Sequence, residues 1–337
     1  MKHLIKLLLL SVLFLFISCS SSDLDDIENA LDVANGIERK EIDVASLGLN
    51  AFGNKREFGS ICEQYRDIKN NFKIKKVRIL LNWNNDIQSS RGAAPNFSFY
   101  DDVLDCIPEG VDVLAVVNGL PSWMANSSNW IAGNPRDTFL QLWFKKVINR
   151  YGNSPKIIAF QVWNEPNNLL DPENEILSFN DAMVYLEFLA NAYSISKDIS
   201  SKSIINAATT GITQNYPETK DYNQVLIDNG IENFTDFFAI HYYGQQFENL
   251  LRPDGVKGML NSLNKSIWIT ESGRQGTDNQ LQYVEETWPY LREQIPNIDR
   301  IYYYQYGSIE NNSITYGLRT VNPDRATSDL AEFLLAR

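Results

Sequence analysis

Two glutamates follow apolar segments of the chain and are the residues best suited to chemistry. Glu165 lies in Trp163–Pro166 and Glu271 lies in Thr270–Gly273, each at the end of an apolar run. A carboxyl group at such a position is costly to desolvate unless it has a partner or a purpose. Either glutamate alone fits a strand-end salt bridge. As a pair they are able to supply a proton donor and a nucleophile or base, the two groups that glycoside hydrolysis requires.

The composition and the motifs of the chain argue against several other chemistries. His3 and His241 are the only histidines, which argues against a His-rich zinc site. The chain has no Gly-x-Ser-x-Gly elbow, no Gly-x-Gly-x-x-Gly fingerprint and no EF-hand spacing. We therefore expect no metal and no organic cofactor. A net charge of -12, from 42 acidic and 30 basic residues, argues against nucleic acid and against a membrane surface held by basic patches.

Eight short apolar runs recur between amphipathic segments and predict eight strands. Most are continuous rather than alternating, which is typical of parallel strands covered on both faces. The runs are Ile42–Phe52, Lys76–Trp83, Val111–Gly119, Ile157–Asn167, Ser203–Gly211, Asp236–Gly244, Ser266–Gly273 and Arg300–Gly307.

Helical patterns separate these runs. One apolar face covers residues 139–151, and Gly152 is predicted to close that helix. Ser178 and Asp181 have the spacing of a capping box and predict the start of another helix. Pro289 is expected to kink or shorten a third.

Eight strands alternating with helices over most of the chain predict an α/β fold, a single (β/α)₈ TIM barrel at residues 41–337. A doubly wound open sheet is the alternative. In a barrel the active site lies at the carboxyl ends of the strands, and strands 4 and 7 are opposite each other. Glu165 and Glu271 are then able to face one cleft. A cation such as Arg78 on strand 2 would favour an ionised carboxylate there.

The two motifs together make the sequence resemble the clan A glycoside hydrolases. Trp163-Asn164-Glu165-Pro166 resembles the strand-4 motif of that clan, and Thr270-Glu271-Ser272-Gly273 resembles its strand-7 motif. The similarity covers nearly the whole chain in strand order, and β-xylosidase-like and endo-β-glucanase-like families are both compatible with it. The resemblance implies a retaining β-glycosidase on a (β/α)₈ barrel. It implies roles for six residues: Glu165 as acid/base, Glu271 as nucleophile, Asn164 as the ligand of the sugar 2-hydroxyl, Arg78 as the cation that holds Glu271 ionised, and His241 with Tyr243 as the strand-6 pair.

Aromatic residues on or just after strand ends are candidates for contact with sugar rings, because an aromatic face suits the C–H face of a sugar. Core packing is the alternative for several of them. The residues we predict to bind substrate are Trp83, Trp123, Trp163 and Tyr306, and Trp130 and Tyr304 are further candidates. Strand 8 has no tryptophan at its end, where the clan A glycoside hydrolases that the sequence resembles often have one. This departure leaves the identity of the sugar open.

The N-terminus has the pattern of an export signal. A basic start is followed by the apolar run Leu7–Ile17, which is too short to span a bilayer, and then by Cys19. This resembles the lipobox of bacterial lipoproteins, so residues 1–18 are predicted to be a signal peptide and Cys19 to be lipidated. Residues 19–40 are predicted to be an acidic tether. An ordinary secretion signal is the alternative.

Two further cysteines, Cys62 and Cys106, are predicted to lie in helices among apolar neighbours, where a catalytic thiolate is disfavoured. They are able to form a disulfide in an oxidising compartment. Because a single pair is not a disulfide framework, two buried free thiols are the favoured expectation.

These observations predict a surface-exposed outer-membrane lipoprotein that hydrolyses β-linked poly- or oligosaccharides with retention. Its expected partner is the glycan substrate, with no nucleic acid, a membrane contact only through the lipid anchor, and a monomeric state. The alternatives are an exo-β-glycosidase of the xylosidase or glucosidase type, and a non-catalytic glycan-binding surface lipoprotein.

Overall fold

The computed structural model describes residues 37–337 except 55, 215–217, 253 and 322–326. Each of the eight predicted strands is present, and together they form one parallel sheet. The strands are β1 Leu47–Asn50, β2 Lys76–Asn82, β3 Asp112–Asn118, β4 Ile157–Val162, β5 Ser203–Asn206, β6 Phe238–Tyr243, β7 Ile267–Gly273 and β8 Ile298–Tyr303. The TIM-barrel fold predicted from the sequence is therefore confirmed.

The sheet closes into a barrel at a seam between β5 and β6. Among the residues that the structure describes, one backbone bridge spans this seam, between Ile205 of β5 and Phe237, the residue before β6. The Asn206 side chain continues the pairing, because its oxygen accepts the Ala239 N–H at 2.8 Å and its amide donates to the Ala239 carbonyl at 3.1 Å. One side-chain amide thus supplies both a donor and an acceptor where the backbone ladder is incomplete.

Helices surround the barrel. They are α1 Ile61–Arg66, α2 Ser98–Cys106, α3 Pro135–Phe139, α4 Lys145–Tyr151, α5 Ala182–Ile199, α6 Thr219–Asp228, α7 Phe247–Leu251, α8 Val256–Asn261, α9 Gln280–Gln294 and α10 Asp329–Leu335. A π-helical turn, Leu140–Phe144, joins α3 to α4, and Gly152 follows α4 as its C-cap. Two strands of two residues, β9 Gly307–Ser308 and β10 Arg319–Thr320, pair beyond β8.

The start of α5 differs from the prediction. Its N-cap is Asp181, whose carboxylate accepts the N–H groups of Met183 and Val184. Ser178 instead has a left-handed backbone (φ 55°) and ends the 3₁₀ helix Pro172–Leu177. The predicted Ser178 cap is wrong because a nearer capping side chain is available directly before the helix.

Pro289 lies inside α9 without ending it. A proline has no N–H, so the carbonyl four residues earlier, that of Glu285, loses its helical donor. The Lys40 N–H donates to this carbonyl at 3.0 Å, and the Arg39 Nε donates to the Glu285 carboxylate at 2.6 Å. The segment before β1 is thereby held against α9 at the position that the proline leaves open.

Apolar side chains fill two regions of the molecule. The larger region lies between the strands and the surrounding helices, and a smaller cluster that includes Leu114, Ala159, Trp268 and Tyr302 lies apart from it. Gly48 on β1 is required here, because a Cβ at this position would overlap the Tyr302 ring. This packing gives the strand ends a rigid base.

The structure joins Cys62 and Cys106 in a disulfide, with their Cα atoms 4.5 Å apart. It links α1 to the end of α2. The expectation of two free thiols is therefore wrong. The two cysteines are 44 residues apart in sequence, and the sequence contains no signal for the close approach of the helices that carry them.

The predicted signal peptide and Cys19 lie outside the described residues, as does most of the predicted tether. Within the described part of the chain, no helix combines the length and the hydropathy needed to cross a membrane.

Candidate active site

Glu165 and Glu271 come together at the carboxyl ends of β4 and β7. One carboxylate oxygen of each, together with a ring nitrogen of His241, lies within 4.8 Å of the other two. The two carboxylates have different surroundings, since 23% of the Glu165 side chain is exposed but only 10% of the Glu271 side chain. Such a pair on opposite strands defines a cleft with two inequivalent carboxyl groups.

Arg78 anchors the Glu271 side of the cleft. Its guanidinium is fully buried, and its Nη1 donates to Glu271 Oε1 at 2.5 Å. It also donates to Asn50 Oδ1 at 2.8 Å, to Gln161 Oε1 at 2.9 Å and to Asn164 Oδ1 at 2.7 Å. A buried cation with this many acceptors has a fixed position.

Glu271 is held in its ionised form. Burial works against ionisation, but the charges of His241 and Arg78 and hydrogen bonds from Tyr243 and Arg78 outweigh it and lower the pKa of Glu271 below its ordinary value. The Tyr243 hydroxyl donates to Oε2 at 2.5 Å. Burial and the adjacent Glu271 raise the pKa of Tyr243 well above its ordinary value, so this hydroxyl keeps its proton.

His241 connects the two carboxylates. It is fully buried, its Nδ1 lies 3.0 Å from Glu165 Oε1, and its Nε2 lies 3.6 Å from Glu271 Oε1. Within the described residues, Nε2 has no hydrogen-bond partner. Because His241 and Tyr243 alternate on β6, both side chains reach the same face of the strand.

The backbone at the end of β4 is unusual. Trp163 (φ 75°) and Glu165 (φ 43°) both have left-handed conformations that favour glycine. Hydrogen bonds from the Trp163 N–H to the Val117 carbonyl (3.0 Å) and from the Glu165 N–H to the Ala208 carbonyl (2.9 Å) hold this segment between the adjacent strand ends. This geometry directs the Glu165 side chain into the cleft.

Three of the aromatic residues predicted to bind substrate are buried elsewhere. Trp83 packs against Trp143 and Phe139, and Trp163 packs against Phe139. Tyr306 packs between Phe58 and Phe72, and its hydroxyl donates to Asp67 at 2.9 Å. The indole N–H groups of Trp83 and Trp163 are likewise bonded to protein, to Gln88 and Asn174. These predictions are corrected, because a side chain buried toward the helices does not line the cleft.

Trp123 is half-buried after β3 and keeps part of its ring accessible. Two tyrosines, Tyr304 and Tyr316, surround Tyr243, the residue that bonds Glu271; their rings are 6.1 and 5.4 Å from the Tyr243 ring. Tyr304 follows β8, where the sequence has no tryptophan. Tyr316 comes from a loop and could not be predicted from a strand pattern.

Four polar side chains that support the pair were missed in the sequence. Asn50 and Gln161 are buried on β1 and β4, and an uncharged polar residue in an apolar strand is itself a signal for a bonded interior position. Asn168 Nδ2 donates to Glu165 Oε2 at 3.2 Å, and Asn174 Nδ2 donates to the Glu165 carbonyl at 2.8 Å. Asn168 lies in the loop after β4 and Asn174 in the short 3₁₀ helix Pro172–Leu177, so no strand or helix periodicity marks either residue.

A (β/α)₈ barrel with a buried, arginine-paired carboxylate opposite a more exposed one is the arrangement of a glycosidase site. A protein-family model described as "Glycosyl hydrolase catalytic core" matches residues 131–324, which include both glutamates. The match spans more than half of the chain, which therefore belongs to this family. No curated protein matches the chain.

Solved structures share the fold at low sequence identity. A family 39 glycoside hydrolase from the gut symbiont Bacteroides cellulosilyticus WH2 superposes with a TM-score of 0.59 at 16% identity, covering 88% of this chain and 63% of that one. A monomeric beta-xylosidase from Caulobacter crescentus CB15 gives 0.61 at 16% identity, with coverage of 89% and 69%. A beta-glucosidase from Thermotoga maritima gives 0.62 at 14% identity, with coverage of 89% and 98%. The chain thus spans less than two thirds of the length of the first of these.

Proposed function

We propose that this protein hydrolyses β-linked poly- or oligosaccharides with retention of the anomeric configuration, with Glu165 as acid/base and Glu271 as nucleophile. The observation that carries the proposal is the short distance between the two carboxylates, since one oxygen of Glu165 lies within 4.8 Å of one oxygen of Glu271. Retaining enzymes separate these groups by ~5–5.5 Å, whereas inverting enzymes need ~6.5–9.5 Å to admit a water.

In the first step of the proposed reaction, Glu165 donates its proton to the glycosidic oxygen while Glu271 attacks the anomeric carbon. The bond to the leaving alcohol breaks, and a bond between the sugar and Glu271 forms. Arg78 and Tyr243 support this step, because both donate to Glu271 and favour its ionised form.

In the second step, Glu165 takes a proton from water, and the water oxygen attacks the anomeric carbon. The bond to Glu271 breaks and returns the carboxylate, so two inversions give net retention. Asn164 is proposed to donate from Nδ2 to the sugar 2-hydroxyl, since its Oδ1 accepts from Arg78.

The preference for long substrates is a proposal that depends on the predicted surface tether. An exo-β-glycosidase of the xylosidase or glucosidase type is the alternative, and the named activities of the Caulobacter and Thermotoga enzymes support considering it. Product lengths during hydrolysis of β-glucan, xylan, mannan and galactan distinguish the two. Early release of mixed oligosaccharides indicates endo action, and release of monosaccharide alone indicates exo action.

Azide rescue tests the two residue roles separately. With an activated aryl β-glycoside, Glu271→Ala is expected to be inactive in water and to form the α-glycosyl azide when azide is added, because azide enters the space of the nucleophile. Glu165→Ala is expected to form the β-glycosyl azide instead, since azide then attacks the sugar–Glu271 intermediate.

Glu187→Ala, which removes an exposed carboxylate on α5, is the matched control and should keep its activity without azide. Full activity of Glu271→Ala in water, or the same azide anomer from both variants, would contradict the assignment. The product anomer is determined by NMR.

A further inference from the structure

A second cleft lies in the loops that follow the carboxyl ends of β3 and β4. It has a volume of about 460 Å³ and is formed by the loop after β3 and the 3₁₀ helix Pro172–Leu177 after β4. Its walls are largely apolar and include Leu120, Pro121, Met124, Trp130 and Ile176. This volume is in the range of small-ligand sites.

Two glutamates also line the cleft: Glu175 is exposed to solvent, whereas Glu173 is half-buried among the apolar side chains. Its Oε1 accepts the Leu120 N–H at 3.1 Å, and no lysine, arginine or histidine of the described residues forms an ion pair with it. Burial, together with the nearby negative charge of Asp171, raises the pKa of Glu173 to about 7. A carboxyl group without a cation in such surroundings is unfavourable for folding, which is typical of a functional position.

The cleft belongs to the same loop as Glu165. Asn174, the residue after Glu173, donates to the carbonyls of Glu165 (2.8 Å) and Asn168 (2.9 Å), so the loop folds back onto its own start. An acid/base protonates the glycosidic oxygen of the leaving group, so the rest of the leaving group lies on the same side of the site as the acid/base. The cleft is therefore on the side where a leaving group would extend.

The aromatic wall is fixed in orientation. The Trp130 Nε1 donates to the Met124 carbonyl at 2.8 Å, and the ring remains half-buried against the cleft. An apolar wall with one hydrogen-bonding carboxyl group suits a sugar, whose ring has C–H faces and whose edge carries hydroxyls.

We propose that this cleft binds the saccharide that leaves in the first step, with its ring against Trp130 and a hydroxyl bonded to Glu173. This inference rests on the proposed function, since it assigns the leaving-group side from the acid/base role of Glu165. It makes Glu173 a determinant of substrate length.

The test compares two substrates on one variant. Glu173→Gln keeps an oxygen for the Leu120 N–H but removes the carboxylate. We expect kcat/KM for a β-linked tetrasaccharide to fall about tenfold more than kcat/KM for the 4-nitrophenyl β-glycoside of the same sugar, the effect of one hydrogen bond to a charged group. Trp130→Phe, which keeps an aromatic ring of smaller area, should change the ratio in the same direction.

Glu187→Gln is the control for loss of one surface carboxylate. Equal losses of kcat/KM on both substrates would overturn the inference, because Glu173 would then act only by supporting the Glu165 loop. No loss on either substrate would overturn it as well. A wild-type enzyme that cleaves the aryl glycoside but not the tetrasaccharide would also overturn it. Failure of the wild type on every aryl β-glycoside would instead overturn the proposed function.

Discussion

Arg78 shows how individual residues create the difference between the two glutamates. Its guanidinium is fully buried and bonded to Glu271, Asn50, Gln161 and Asn164, so its charge and position are both fixed. Because that charge acts on Glu271 and not on Glu165 by direct contact, it favours ionisation of the proposed nucleophile. We therefore expect Arg78 to set the position of the acidic limb in the pH profile of kcat/KM.

Arg78→Met should raise the pKa of Glu271 and move the acidic limb of kcat/KM to higher pH. The folded-state pKa of Glu271 is below its ordinary value of 4.5, so its ionisation stabilises the fold above that pH and the contribution is lost as pH falls. Removing one partner of a buried ion pair costs about 3–5 kcal/mol, which a denaturant titration at pH 7 would detect.

Arg78→Lys keeps the charge and should show a smaller shift of the acidic limb, because a lysine lacks the fork that binds several acceptors. Arg150→Met, at a partly exposed arginine paired with Asp101, is the control. An acidic limb that is identical in wild type and Arg78→Met would contradict this role.

At the scale of single elements, continuous apolar runs were enough to predict the strands, because a short run of this kind is typical of a strand that is buried on both faces. The position of Glu165 and Glu271 at strand ends followed from the same runs. The direction of residues beyond a strand end did not follow, since period-2 alternation stops there. This is why Trp83, Trp163 and Tyr306 were assigned to the cleft although they pack toward the helices.

Contacts between elements were the least predictable part. The Asn206 seam, the docking of Lys40 at the Glu285 carbonyl and the Cys62–Cys106 disulfide each join residues far apart in sequence. Local propensity contains no information about such partners.

The disulfide gives a prediction at this scale. Replacing both cysteines with serine should lower the free energy of unfolding by about 4 kcal/mol, the loop-entropy value for a closed loop of 44 residues. Thermal or denaturant unfolding measures the loss, and reduction of the wild type should reproduce it. Because the bridge joins α1 and α2 outside the barrel, kcat at 25 °C should change little. Equal stability of the oxidised and reduced wild type would contradict the expectation.

At the scale of the whole molecule, one barrel contains nearly all of the described chain, and the candidate catalytic residues lie in one cleft. The net charge of -12 is compatible with a neutral glycan partner and argues against nucleic acid. We propose that residues 1–18 are removed and that a lipid on Cys19 holds the barrel at the outer membrane, exposed at the cell surface. The basis for this proposal is the sequence pattern alone.

Cys19→Ser tests the anchor. The variant should no longer incorporate labelled palmitate and should leave the membrane fraction, because no other lipidation site is proposed. The Cys62→Ser/Cys106→Ser protein is the control and should still be labelled. Palmitate incorporation that persists in Cys19→Ser would contradict the proposal.

The most direct test of the central claim is the anomeric configuration of the first sugar released. Proton NMR during hydrolysis of an aryl β-glycoside distinguishes the two anomers before mutarotation mixes them. A double displacement by Glu271 and Glu165 predicts that the β-anomer appears first and the α-anomer grows in later. Initial release of the α-anomer would show a single displacement by water and would contradict the account.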